Sequence, residues 1–265
     1  MLQVVDKIMA GVHGTVFAYG ATGSGKTYSM AGGNDNPGVM YLMIHDLFSK
    51  IHACPHPVKI KASYLEIYNE NVVDLLNEEE NPPAVEIRED PQAGVSLAGI
   101  TEYDMTNAAD VFKILRDGGK NRTVDSHLLN AASSRSHAVF MITVAQYAGL
   151  PKDASNSRGK SGAVGSSESE LLQAAARAAE QIAQAGTVAA KFGRLLRSAN
   201  LTMIDLAGSE RAKKSGTNKK MLREGAKINR SLLALANCIN ALGEKKKGTV
   251  RARASDCVWV LCPCN

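Results

Sequence analysis

No stretch of this 265-residue chain approaches the ~18 consecutive apolar residues that a membrane-spanning helix requires. Nor does the N-terminus carry a basic segment followed by an apolar one, the pattern of a secretory signal. Cysteine is scarce: there are five, an odd number, and three of them (Cys257, Cys262 and Cys264) crowd the last nine positions. Cys54 and Cys238 stand alone, and Cys238 falls within an apolar helical pattern that suits a buried thiol. Cys262-Pro263-Cys264 lacks a second ligand pair at zinc-site spacing, which argues against a thiolate metal site. Reduced, structurally minor cysteines in a cytosolic chain are the expectation. Charge of one sign is also in short supply, with a net of only +5. A composition of 45% hydrophobic and 22% charged residues is ordinary for a soluble globular protein. The length is enough to bury a full core in one large domain or two small ones.

What is present follows an alternating plan. Residues 2–9 read as a short helix, and the β-branched and aromatic run 15–19 as a buried strand that leads directly into a glycine-rich loop. Residues 39–51 look helical, and 58–68 alternate, with Ile60, Ala62 and Tyr64 on one face of a strand. Thr106 is placed to cap a helix carrying Val111, Ile114 and Leu115, which Gly118-Gly119 would end. Residues 138–147 and 201–206 are further strands. Strands interleaved with helices predict an α/β sheet, with ligands at the carboxyl ends of its strands. Two segments interrupt this plan. Residues 154–167 hold eight Gly or Ser among fourteen, and 170–185 hold seven alanines among sixteen, so a flexible linker and a helix form a surface insertion.

The loop Gly20-Ala21-Thr22-Gly23-Ser24-Gly25-Lys26-Thr27 matches G-x-x-x-x-G-K-[ST]. Its glycines let backbone N–H groups turn inward around phosphates. Lys26 suits the outer phosphates as a point charge, and the Thr27 hydroxyl suits Mg²⁺. A chain of this length and average composition meets the pattern by chance roughly once in a hundred. The position between a strand and a helix strengthens the reading of a nucleoside triphosphate site.

Phosphoryl transfer also needs a metal-side acid, a positioned water and a sensor of the γ-phosphate. Asn130-Ala131-Ala132-Ser133-Ser134-Arg135-Ser136-His137 gathers hydroxyls, a guanidinium and an imidazole in one short segment. The apolar strand Leu201-Thr202-Met203-Ile204 ends in Asp205-Leu206-Ala207-Gly208-Ser209-Glu210, with the acid where a metal-side carboxylate belongs. Taken in this order, the three motifs resemble the kinesin motor domain closely. Ser63-Tyr64-Leu65-Glu66-Ile67-Tyr68-Asn69-Glu70 and Ile228-Asn229-Arg230-Ser231-Leu232-Leu233-Ala234-Leu235 look like kinesin sequence too. Asp35-Asn36-Pro37-Gly38-Val39-Met40-Tyr41 and the segment 233–242 are similar to the kinesin-eight class. Myosins share the scheme but carry a different switch after the metal-side acid. No Asn-Lys-x-Asp motif points to a GTPase.

The resemblance implies an α/β P-loop NTPase fold: a three-layer sandwich around a central, mostly parallel sheet, of kinesin motor type and incomplete. It implies ATP and Mg²⁺ as cofactors, microtubules (tubulin) as partner and hydrolysis coupled to microtubule binding, in the cytoplasm on the cytoskeleton. Matched residue by residue, Ser133 and Ser134 would be switch hydroxyls near Mg²⁺ and the γ-phosphate, and Asp205 would hold a magnesium-bound water. Gly208 would sense the γ-phosphate, and Arg135 and Glu210 would pair across the switches and position the attacking water. Tyr28 stands where kinesins commonly stack a histidine on adenine, a role an aromatic ring can keep.

Between Arg211 and Arg230 there are eight basic residues and one acid, Glu224, a net of +7. A charge run by itself is usually a solvated face. Here it leads into an amphipathic helix whose apolar residues Ile228, Leu232, Leu235, Ile239 and Leu242 step by four and three. In the kinesin pattern this is the relay helix and its loop, which would set Lys213, Lys214, Lys219, Lys220, Arg223, Lys227 and Arg230 against acidic tubulin. Nucleic acid could use the same charge, but no base-reading module accompanies it.

The ends depart from the family pattern. Residues 1–248 read as a partial motor domain with an insertion at about 150–199, and 249–265 as an aberrant tail that matches none of it. Truncation at both ends is the expectation, with sheet edges left open and no heptads for a dimer. A non-motile microtubule- or nucleotide-binding fragment with little turnover is therefore the alternative to an active motor ATPase.

Overall fold

A computed structural model of the chain describes residues 2–33, 36–79, 82–90, 94–127, 135–149, 192–209, 219–243 and 258–263. In chain order the elements are α1 (Leu2–Met9), β1 (Gly14–Tyr19), α2 (Lys26–Ala31), α3 (Val39–His52), β2 (Val58–Tyr68), β3 (Asn71–Asp74), β4 (Glu86–Asp90), β5 (Gly94–Ala98) and β6 (Tyr103–Met105). They continue with α4 (Ala108–His127), β7 (Ser136–Tyr147), β8 (Leu195–Asp205), α5 (Lys219–Gly243) and β9 (Val258–Pro263). The central sheet has seven strands in the order β3-β2-β7-β8-β1-β9, with β6 against β2, and β4 and β5 form a separate ribbon.

The α/β architecture and its three layers are those the sequence implied, but the sheet is mixed and not mostly parallel. Only β1 pairs in parallel, with β8 on one side and β9 on the other. The pairs β2–β3, β2–β6, β2–β7 and β7–β8 are antiparallel. For β2 and β3 the reason is connection length: they are joined by Asn69 and Glu70 alone, both at positive φ (53° and 70°), a two-residue turn that can only reverse the chain.

Alternation along the strands sorts side chains between two unequal cores. Val16 and Ala18 of β1, Ile60, Ala62 and Tyr64 of β2, Phe140 and Ile142 of β7, and Leu201 and Met203 of β8 face one way. They meet the apolar stripes of α1, α3 and α4, among them Val5, Ile44, Leu47 and Val111. Tyr64 and Phe140 touch edge to face at 5.4 Å on neighbouring strands. Phe17 points to the opposite face, where it joins Leu206 and Leu232 in a small cluster flanked by Ile204, Ile228 and Leu235. Ile228, Leu232 and Leu235 of the expected amphipathic stripe of α5 meet this second face, while the side chains of Ile239 and Leu242 lie outside the described residues.

Four local expectations are corrected. The glycine pair does not stop α4, which runs on to His127. Gly118 serves close packing instead: a Cβ there would sit 2.4 Å from Tyr64 Cδ1. The cap of α4 is Asn107, whose Oδ1 accepts from the Asp110 N–H, while the Thr106 hydroxyl donates to the Asp110 carboxylate. Strand β8 begins at Leu195, so residues 195–199 of the expected insertion are paired with β7 and continue its ladder. Cys238 is exposed on α5. The proposed linker and alanine-rich helix lie outside the described residues. Within the tail, residues 258–263 form β9 beside β1 in register from Gly14↔Val258 to Tyr19↔Pro263.

Candidate functional site

The candidate phosphate loop joins the end of β1 to the start of α2, at the carboxyl end of the parallel pair β1–β8. Its backbone reverses at Gly23 (φ 81°) and Gly25 (φ 87°), in the left-handed region where a side chain is strained. Among the described residues, nothing lies within 4 Å of where a Cβ would sit at either glycine, so the loop has open space beside its backbone there. The Lys26 chain is buried, and its Nζ donates to the Ala21 carbonyl at 2.8 Å across the loop mouth. Ser24 Oγ is buried with no hydrogen-bond partner. Tyr28, on α2, is 56% exposed beside the loop, its ring against Gly33 and its hydroxyl accepting from Asn36.

Asp205 ends β8 next to Ala18 on one side and Ala138 on the other. The Thr27 hydroxyl donates to its Oδ2 at 2.7 Å, a junction between residues 178 positions apart. Arg122 of α4 donates to the same oxygen at 2.8 Å. Oδ1 of Asp205 is buried and has no hydrogen-bond partner among the described residues. A buried carboxylate oxygen without a donor is costly, and a magnesium-bound water is a donor that would satisfy it. Mg²⁺ is ordinarily held by one or two protein groups together with phosphates and water. One hydroxyl, one carboxylate and an open glycine loop therefore fit Mg²⁺ with a nucleotide. Among the described residues, no group of three or more His, Cys, Asp or Glu forms a self-sufficient metal cage.

Past Asp205 the chain is tied back to both neighbours. The Ser209 N–H donates to the Gly20 carbonyl at 3.1 Å, so the segment containing Gly208 lies against the first residue of the phosphate loop. The Ala207 N–H donates to His137 Nδ1 at 3.1 Å. That bond makes Nδ1 the acceptor and leaves Nε2 to donate to Ser231 Oγ on α5, at 2.9 Å, which in turn donates to the Ile228 carbonyl. Burial, with the Arg122 guanidinium nearby, lowers the His137 pKa to about 4 despite Asp205, so the ring is neutral at physiological pH.

The structure therefore brings Thr27, Lys26, Asp205 and Gly208 together, with Arg135 partly buried immediately before β7. Ser133, Ser134, Glu210, Lys213 and Lys214 lie outside the described residues. Lys219, Lys220 and Arg223 fall on the first turns of α5. Lys227 and Arg230 both pair with Glu70 of the β2–β3 turn, at 3.2 and 3.5 Å, instead of projecting free. Glu66, Glu70, Arg122 and Ser231 were given no site role, and His137 entered only as the imidazole that ends the second motif. Arg122 had a legible signal: Val111, Leu115, Gly118 and Arg122 step by four, three and four, one helix face.

Residues 1–264 match the family model described as Kinesin motor domain. The chain is similar to kinesin-like protein KIF18B of Gallus gallus, 40% identical over 249 residues, covering 92% of this chain and 26% of the relative. It is similar to kinesin-like protein KIN-8A of Oryza sativa subsp. japonica, 39% identical over 247 residues, covering 92% of this chain and 26% of the relative. Among solved structures it resembles a KIF14 dimer with AMP-PNP in complex with a microtubule, with a TM-score of 0.67 and 26% identity over 95% of this chain and 62% of that one. The chain thus spans about a quarter of the length of these curated relatives. The resemblance to the kinesin-eight class stands, since the curated relatives are of that class.

Proposed function

The chain belongs to the kinesin motor-domain family, a family of microtubule motor ATPases, and from that premise we propose that it hydrolyses ATP with Mg²⁺ and couples the state of that site to microtubule affinity. The observation that carries this reading is the Thr27–Asp205 junction with its unpartnered carboxylate oxygen, set beside an open glycine loop. Bound Mg²⁺ would neutralise charge on the phosphates. Gly20, Ala21, Thr22, Gly23, Ser24, Gly25 and Lys26 would bind the phosphates, and Thr27, Ser134 and Asp205 would hold the metal, Asp205 through a water. Tyr28 offers its exposed ring to the base. Ser133 would stand with Ser134 near the metal and the γ-phosphate, Arg135 and Glu210 would pair and orient the attacking water, and Gly208, in the segment held against Gly20, would report the γ-phosphate.

Coupling needs a path from that segment to the face that meets the track. The bond from the Ala207 N–H to His137 and onward to Ser231 is such a path, and it ends on α5. The basic residues Lys213, Lys214, Lys219, Lys220, Arg223, Lys227 and Arg230 meet the acidic tubulin surface in a salt-dependent way. The solved complex of KIF14 with a microtubule supports tubulin as the partner, on the cytoplasmic cytoskeleton. Phosphate release from ATP, measured with and without microtubules, tests the reading. Microtubules should raise the rate several-fold and Glu210→Ala should abolish the rise; a rate indifferent to both refutes it.

A further inference from the structure

Beneath the candidate metal position lies a cluster of charge that the reading above does not use. Arg122 is 7% exposed, and it stands between two carboxylates that are equally buried, Glu66 (5%) and Asp205 (3%). Its Nη1 is 2.8 Å from Asp205 Oδ2 and its Nε 3.6 Å from Glu66 Oε1, while Nη2 donates to the Ser136 carbonyl at 3.2 Å. One guanidinium thus serves two acids, and the cluster carries one unit of negative charge in excess. The three residues come from β2, α4 and β8, so the arrangement is a product of tertiary packing.

The position of the guanidinium matters because it shares the oxygen that Thr27 uses. A cation in contact with the metal-side carboxylate withdraws charge from it and repels a divalent ion nearby, and in a buried site that repulsion is screened weakly. Glu66 acts in the opposite sense, since it draws the guanidinium toward β2 and leaves more of the Asp205 charge for the metal. A cavity of about 280 Å³ lined by Thr27, Tyr64, Arg122 and Asp205 gives the guanidinium room to shift without leaving the interior.

We propose that Glu66 and Arg122 are positioning residues that set how tightly Mg²⁺ is held: Arg122 weakens the hold of Asp205, and Glu66 restores it by sharing the guanidinium. The inference rests on the ATPase reading and concerns the metal alone, not turnover. The partners of a metal ligand commonly change metal affinity 10–100-fold when altered, and the relay fixes the sign of each change.

The test loads the full 265-residue chain with a fluorescent ADP analogue and follows its release over a range of free Mg²⁺. Glu66→Gln removes the carboxylate that competes with Asp205 for Arg122, and the Mg²⁺ concentration needed to retain the nucleotide should rise about tenfold or more. The double variant Glu66→Gln/Arg122→Met removes the competing cation, and its midpoint should return to the wild-type value or fall below it. A purely structural role would damage retention in both variants. A Glu66→Gln midpoint within about twofold of wild type, or a double variant as impaired as the single, overturns the relay. Should Glu66→Gln fail to fold, the double variant decides alone, and a midpoint above wild type refutes the proposal. Wild-type chain that binds no nucleotide, or releases it at a rate independent of Mg²⁺, removes the ATPase reading itself and the relay with it.

Discussion

The two faces of the sheet are built to different standards. On one side, β1, β2, β7 and β8 pack against α1–α4 through a large continuous core, and Asp205 is fixed by bonds from α2 and α4. On the other side, α5 rests on Phe17, Leu206 and Leu232, one bond from His137 to Ser231, and ion pairs to Glu70. Among the described residues, the face that carries α1–α4 holds the larger core and the face that carries α5 the smaller.

Mutations sharpen or break that contrast. The largest effect belongs to Phe140→Ala, at a fully buried position of the large core, with a loss of about 4 kcal/mol. Leu232→Ala, in the small cluster, should cost only about 2 kcal/mol. Chemical denaturation of both variants measures the gap, and equal losses would erase the distinction between the faces.

His137 gives a pH signature at the joint between the faces. Its folded pKa of about 4 lies below the unfolded value of 6.5, so the unfolded chain binds the proton first as pH falls. The neutral ring's contribution is complete above pH 6.5 and is lost progressively as pH drops towards 4, by about 3 kcal/mol in all. Urea midpoints at pH 7.5 and pH 5 should converge in His137→Gln relative to wild type, and an unchanged difference would place the acid sensitivity elsewhere.

Ser231→Ala removes the hydroxyl between His137 and the Ile228 carbonyl, at a cost of about 1 kcal/mol in stability. Its basal ATP turnover should match wild type while microtubule stimulation falls, and Ser231→Thr should restore it. Undiminished stimulation in Ser231→Ala would show that α5 is coupled by another route. The smallest change is expected from Glu70→Gln, whose exposed pairs with Lys227 and Arg230 contribute less than about 1 kcal/mol. Freed of that acid, the two bases should bind microtubules more tightly at low salt in a co-sedimentation assay, and unaltered binding would mean that the turn does not compete with the track.

Local pattern carried much of this molecule. The glycine loop, the acid at a strand end and the faces of β2 and α5 were legible because each depends on residue type at short spacing: glycine for positive φ, alternation for a pleated strand, steps of three and four for a helix. Gly118-Gly119 misled for the same reason, since as a pair they read as a stop, and only the ring of Tyr64 shows why small residues are needed there. The direction of the strands also stayed hidden, because pairing depends on which strands lie side by side and not on their composition.

What the sequence determined by itself was therefore the family, the triphosphate loop and the identity of the groups that could serve a nucleotide and a metal. Tertiary structure alone decided that Arg122 reaches Asp205 from 83 positions away, that Glu66 shares it, and that His137 links Ala207 to Ser231. Such contacts are set by the stacking of α4 and α5 on opposite faces of one sheet. No local spacing encodes them, because their energy exists only once burial has removed the water that would otherwise satisfy each charge.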